Sequence, residues 1–502
     1  MTVLALVQFS IATPICLFVA SVIYNVFFHP LRHYPGPWLS AATKIPWYRA
    51  LLTGDLSFYT QRIHEKYGDI VRISPNELSY ITAGAWKDVY ANRVNHTLLP
   101  KDEKFYHPPP GGAHSILTAP HEAHSRIRRL LSHAFSEKAL RDQESLIKVY
   151  VDLLVQRLHE ESNSKSASLD MVSWYNWTTF DIFGDLMFAE PFGCLDSASY
   201  HPWVDLLFKS IKAQTLANAA AHLGILPLLR RFPPKRLVET RLKHMSMTTE
   251  KVTKRLDLKT DRADFMGFIL KHNDDEFAMS LPEIKSTSFG IIIAGSETTA
   301  TLLSGTTYYL LKNPEKLAKL TKEVREAFHS EDEINLTSVN GLTYMLAVLD
   351  EGLRMYPPVP VGLPRRVPES GETIVGNFVP PNTVVSVNHW AAYRSPRNFS
   401  QPESFIPERW LDDTDFSDNK RVFQPFSTGP RACIGRNLAY VEMKLILARI
   451  VWNFDMEIDA TSNDWANQKM FILWDKPPLL VRMTSRPDLQ TLKYRSKNSE
   501  KV

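Results

Sequence analysis

The ten residues Phe426 to Gly435, FSTGPRACIG, constrain this chain more than any other stretch. Their pattern is Phe-x-x-Gly-x-Arg-x-Cys-x-Gly, and they directly precede a run of helical periodicity, Asn437 to Phe454. Each fixed position has a use beside a buried metal. A thiolate at Cys433 must be kept deprotonated, and backbone N–H groups near a helix N-terminus favour that charge. Gly429 permits a tight turn, and Gly435 lets a flat ring approach the backbone. Arg431 is suited to a carboxylate carried by such a ring, and Phe426 to shielding the sulfur from water. A structural cysteine in a turn would not need all five positions. A chain of 502 residues can bury a core that encloses a large flat cofactor.

Composition narrows the rest. The other two of the three cysteines, Cys16 and Cys194, are distant in sequence, so neither a disulfide framework nor a zinc spacing is present. A reducing, cytosol-facing compartment fits that usage. With 58 basic and 54 acidic side chains the net charge is only +4, which points away from a nucleic-acid partner. A local basic patch for an acidic protein or a membrane surface remains compatible with it.

The first charged residue is Arg32. Val3 to Phe28 is almost wholly apolar, and about 20 such residues span a bilayer core. Pro14 is tolerated in such a helix. The stretch is too long for a cleaved signal peptide and lacks a basic start. Arg32, Lys44 and Arg49 follow it and no basic residue precedes it, which places the body in the cytosol. The expected organisation is a membrane anchor over 1–31, a Pro-rich hinge over 32–38, one catalytic body over 39–486 and a polar tail over 487–502.

Within the body, Gly68 to Thr82 and Pro357 to Asn388 carry β-type stretches between turn residues. Pro120 to Leu353 is mainly helical in period. The expected fold class is mainly α with a smaller β-containing lobe assembled from sequence-distant pieces.

Further motifs stand in a fixed order ahead of Cys433. Ala294 to Thr299, AGSETT, lies in an apolar helix over 284–311. Small residues at Ala294 and Gly295 leave room over a cofactor face and weaken the local helix. Glu297 and Thr298 form an acid–alcohol pair suited to proton delivery. They stand about 100° apart around a regular helix, so both reach one site only if the helix is distorted. The plainer reading is a core helix with a few polar residues. Glu351-x-x-Arg354, Arg409 in FIPERW, His124-Ser-Arg-Ile-Arg128 and the pair Arg365–Arg366 complete the set.

Together these motifs resemble the cytochrome P-450 family over almost the whole chain. IIIAGSETTAT and PPVPVGLPR resemble its fungal branch containing isotrichodermin C-15 hydroxylase. The resemblance implies the P-450 fold, haem b, Cys433 as axial iron ligand, an NADPH-cytochrome reductase as electron donor and an endoplasmic-reticulum membrane location. It implies that Glu351, Arg354 and Arg409 form a buried set behind the ligand loop. It puts Arg128 and His124 at one propionate, although the family usually has Trp where His124 stands. Arg365 or Arg366 meets the other propionate, and GLPR favours Arg365. Phe105 to Leu117, Val359 to Leu363 and Met470 to Trp474 should line a pocket for an apolar substrate. The implied activity inserts one oxygen atom from O2 into an apolar small molecule, a terpenoid or polyketide intermediate of fungal secondary metabolism. Electron donation from the thiolate favours O–O cleavage. The alternatives are a haem-thiolate isomerase or dehydratase that does not use O2, and a non-catalytic membrane-anchored haem protein. The Glu297–Thr298 pair speaks against both.

Overall fold

The computed structural model describes residues 3–486 except 95, 107–112, 165–167, 232–234, 259, 261, 272, 274–277 and 413–414. The polar tail and the centre of the loop over 105–117 therefore lie outside the described residues. The organising element is helix Leu281–Lys312. It starts at a capping box in which the Ser280 N–H and hydroxyl both donate to Glu283, 2.8 and 3.0 Å. Most of its sides are buried, as a central helix requires. Helix Met171–Phe188, capped by Asp170 accepting from the Val172 N–H, packs along it. Helices Thr343–Met355 and Arg436–Asn453 pack on the same core.

The β lobe joins distant pieces of chain. Strands Ile70–Ser74, Glu77–Tyr80, Val384–Val387 and Arg365–Arg366 form one sheet in that order. Glu77–Tyr80 and Val384–Val387 pair in parallel, with Leu78 opposite Val385. A second sheet orders Leu169–Asp170, Leu480–Ser485 and Phe454–Ile458. A short hairpin pairs Lys469–Met470 with Trp474–Asp475. The mainly helical body with small sheets agrees with the expected fold class.

The N-terminal segment is helical over Val3–Ile23 and continues as one π turn, Tyr24–Phe28. Among the described residues no helix is long and apolar enough to cross a membrane. The stretch after the N-terminal helix packs against the body. Leu31 is fully buried, and the buried Arg72 guanidinium donates to the Asn25 carbonyl at 3.1 Å. The Arg72 N–H donates to Pro35 O at 2.7 Å. The Pro-rich stretch is thus pinned to the first strand.

Candidate active site

The loop before Cys433 is shaped by two left-handed residues, Ser427 (φ 58°) and Gly429 (φ 77°). A Cβ on Gly429 would stand 2.2 Å from the Tyr90 carbonyl oxygen, so contact as well as conformation demands glycine there. The Cys433 N–H donates to Phe426 O at 2.9 Å and closes the loop. The Phe426 ring packs on Tyr440, centroids 5.3 Å apart, with the Arg436 guanidinium near both rings. Gly435 caps helix Arg436–Asn453, and its N–H favours charge on the Cys433 sulfur. The thiol is open on one side and otherwise enclosed. Burial pushes the Cys433 thiol up, against the Gly435 N–H, Arg128 and Arg436. A metal ion bound to the sulfur would deprotonate it.

Around this loop gather cations that have no carboxylate partner among the described residues. Arg128 donates to Ala432 O at 2.7 Å, one residue from the cysteine. Arg431 donates to Ala119 O at 3.0 Å through one terminal nitrogen, and its other, buried, has no partner among the described residues. Arg365 is buried and faces the rings of Tyr90 and Tyr106 at 5.1 and 5.9 Å. Lys101 lies over Tyr106 at 4.3 Å. Burial, then Arg365 and Arg431, hold Lys101 down at about 6. Burial, then Arg365, hold Arg431 down at about 10. Burial, then Arg431, Lys101 and Arg128, depress buried His124 to about 3, so it is neutral. Mutually repelling buried cations are costly unless a ligand supplies negative charge. The donor set fits the two carboxylates of haem.

The adjacent arginines have different surroundings. Arg366 is committed to Asp102 at 2.6 Å and Asn382 O at 3.1 Å, which leaves Arg365 for the cluster. Lys101 escaped sequence reasoning. It arrives through a bridge to Arg365, a long-range pairing with no local signal.

The AGSETT helix departs from expectation. It is α-helical from Leu281 to Lys312 without a break at Ala294–Gly295. The Thr298 hydroxyl donates to Ala294 O at 2.5 Å. Ala294 is exposed and Thr298 half-buried on a helix whose neighbours are mostly buried. Gly295 does not make room over a cofactor. A Cβ there would meet the Phe183 ring at 2.0 Å, so it accommodates the crossing helix. Glu297 is buried away from Thr298. Its Oε1 accepts from Thr301 at 3.3 Å and from Lys476 at 2.5 Å. Its Oε2 is buried with no partner among the described residues. Lys476 is a second cation that sequence reasoning missed. Sequence reasoning also missed the fully buried acid Glu442, pushed by burial to about 8 against the pull of the Thr299 hydroxyl.

Glu351, Arg354 and Arg409 meet with their side chains fully buried. Glu351 accepts from Arg354 at 2.8 and 2.9 Å, Arg409 at 3.2 Å and the Trp410 indole at 2.9 Å.

The three stretches expected to line a pocket contribute to one cavity of about 50 Å³. Phe105, Val361, Gly362, Phe471 and Ile472 face it together with Glu77, Asp102, Asn218 and His222. The polar side of this wall was not foreseen. Burial pushes the Glu77 carboxyl up to about 7.

The sequence profile of the cytochrome P450 family matches residues 34–483. Cytochrome P450 monooxygenase astA of Talaromyces wortmannii is 50% identical over 470 residues, 93% of this chain and 95% of that protein. Cytochrome P450 monooxygenase astJ of Aspergillus oryzae is 46% identical over 474 residues, 93% of this chain and 94% of its own. Averantin hydroxylase of Dothistroma septosporum is 45% identical over 471 residues, 93% and 89% respectively.

Proposed function

The chain belongs to the cytochrome P450 family and is a haem-thiolate monooxygenase, and from that premise we propose that it oxidises an apolar terpenoid or polyketide intermediate of fungal secondary metabolism. Haem b is its cofactor, and a reductase supplies its electrons. One oxygen atom of O2 enters a C–H bond and the other leaves as water. Two electrons from NADPH and two protons balance the reaction. Bound haem supplies oxygen activation. The observation that carries the site assignment is the open Cys433 thiol beside Arg128, Arg365 and Arg431, which have no carboxylate partner among the described residues. Those arginines would hold the propionates, with Lys101 and His124 beside them, and Cys433 would hold the iron.

The relatives' names support the substrate class, since one is an averantin hydroxylase. An untargeted metabolite comparison between a strain lacking this chain and its parent should show a precursor one oxygen poorer than the lost product. With reductase, NADPH and ¹⁸O2, the purified enzyme should convert that precursor with one ¹⁸O incorporated. Conversion without NADPH or without label would sink this reading and favour the isomerase or dehydratase.

Thr298 shares its helix face with Ala294 and is the hydroxyl we assign to proton delivery toward oxygen. Thr298→Ala should keep haem content and the substrate-induced spectral shift. Product per NADPH should fall about tenfold, part of the roughly 10²–10⁴-fold typical of positioned proton transfer. Hydrogen peroxide should rise in step. Full coupling in this variant shows that the enzyme does not use Thr298, and an analogue lacking any substrate hydroxyl tells whether the substrate replaces it.

The N-terminal helix is our proposed anchor in the endoplasmic-reticulum membrane, with the body in the cytosol. Exposed Ile15, Leu17, Phe18 and Val19 support it. So do exposed Trp38, Ile45, Leu216 and Leu223 on elements packed in succession beside it. Deleting residues 1–23, which spares Asn25 and Leu31, should move haem-containing protein from the membrane pellet toward the supernatant. Of the described glycosylation sequons, Asn176 and Asn398 are buried and Asn335 is half-buried. Sugar on Asn335 in the intact protein would invert the topology.

A further inference from the structure

Lys476 comes from the far end of the chain yet lies against the AGSETT helix, with its side chain 4% exposed. Its ammonium donates to Glu297 Oε1 and to the Thr301 hydroxyl, both at 2.5 Å. That hydroxyl in turn donates to Glu297 Oε1 at 3.3 Å. One carboxylate oxygen is therefore held by two donors, while Oε2 is buried without a partner among the described residues. The backbone on either side of Lys476 is fixed. The Trp474 indole stacks on Tyr356 at 4.2 Å and donates to Pro357 O at 2.8 Å. Pro477 O accepts from the Trp465 indole at 2.8 Å. The hairpin that ends just before Lys476 also carries Phe471 and Ile472, which face the cavity.

We infer that Lys476 is a positioning residue for Glu297, anchoring Oε1 so that Oε2 is free to exchange protons and tying that carboxylate to the cavity hairpin. The inference rests on the reading of Glu297 as the acid of the acid–alcohol pair. An ion pair kept only as a structural staple has no need of an unpartnered oxygen. Nor would a staple gain from joining the cavity wall to the helix that carries Thr298. Without the ammonium, only the Thr301 hydroxyl still holds Oε1, so the direction of Oε2 is no longer fixed.

The test uses full-length holoenzyme with reductase, NADPH and O2, and no added substrate, so that electrons leave as hydrogen peroxide or water. Lys476→Met should keep the haem content. Its water-forming turnover should fall about tenfold, within the roughly 10²–10⁴-fold that a positioned proton carrier contributes, and peroxide per NADPH should rise. Lys476→Arg should restore most of the loss. Glu297→Gln should show at least the same loss, and the double variant no more than Glu297→Gln alone. A readout independent of turnover is the infrared spectrum of the ferric enzyme. Lys476→Met should shift the carboxylate stretching band of Glu297, identified as the band that Glu297→Gln lacks. Should Lys476→Met lose haem, Lys476→Gln, which keeps a donor without the charge, carries the same comparisons. Unchanged peroxide partition in a haem-replete Lys476 variant overturns the inference, as do losses that multiply in the double variant. An inert Glu297→Gln instead removes the proton-delivery reading beneath it.

Discussion

Replacing Cys433 by alanine should abolish the thiolate-type band of the reduced carbon monoxide complex and leave the polypeptide folded. The loop is closed by backbone, through the Cys433 N–H on Phe426 O, and an alanine keeps that bond. Its conformation is set by Ser427 and Gly429, which the substitution does not touch. The sulfur is open on one side, so its removal costs stability on the order of 1 kcal/mol, as for the loss of one buried methyl-sized group. Without the axial thiolate the electron donation that favours O–O cleavage is gone, and monooxygenation falls to background. Circular dichroism on heating separates loss of ligand from loss of fold. Cys194→Ala is the control. Cys194 is buried, its sulfur accepts the His201 N–H at 3.3 Å, and burial pushes its thiol up to about 12. That variant should lose stability and keep the band. Retention of the band by Cys433→Ala would show that the iron ligand lies elsewhere.

The ligand loop was legible because its demands are local. A positive φ at Gly429, a tight contact at Tyr90 and a helix starting at Gly435 all leave marks within ten residues. Fold class was legible from period alone. What could not be read was who stands opposite whom. Lys476 and Glu297 are 179 positions apart, and nothing near either announces the other. Lys101 reaches the cation cluster only because the chain at Pro100–Asp102 pairs with Pro364–Arg366. Glu442, Lys444 and Arg449 are all buried in one helix, and no local pattern marks a charged residue there as buried. At Gly295 the sequence signalled a small residue, and the structure identified Phe183 as the neighbour that requires it. The acid–alcohol pair follows the same logic. Regular helix geometry separates neighbours by about 100°, and with no distortion present Glu297 turns to Lys476 while Thr298 stays beside Ala294.

The network behind the loop supplies the second large effect. Glu351→Gln should yield protein that is largely free of haem and melts on the order of 10 °C lower, since large domains shift by a few degrees per kcal/mol. Glu351 is fully buried and receives donors from Arg354, Arg409, Trp410 and the Ile406 N–H. An amide puts an NH2 where one of these donors already points and leaves two buried guanidinium groups short of a counter-charge. Breaking a buried pair in this way costs about 3–5 kcal/mol, against a total stability of about 5–15 kcal/mol. The damage reaches the cysteine loop by a short path. Arg354 donates to Tyr393 O at 2.9 Å, and the Tyr393 hydroxyl accepts the Gln424 N–H at 2.9 Å, two residues before Phe426. Arg354→Lys should fail as badly, although it keeps the charge. The guanidinium spreads its bonds over Glu351 and the carbonyls of Tyr393, Pro402 and Ser404, a fan that one ammonium nitrogen cannot reproduce. Glu160→Gln, at a surface pair with Arg157, should leave haem content and melting unchanged. Haem content and melting temperature measured together decide the matter. Wild-type values for Glu351→Gln would mean that the buried set does not hold the loop, and tolerance of Arg354→Lys alone would mean that charge, not the fan of hydrogen bonds, is what the loop requires.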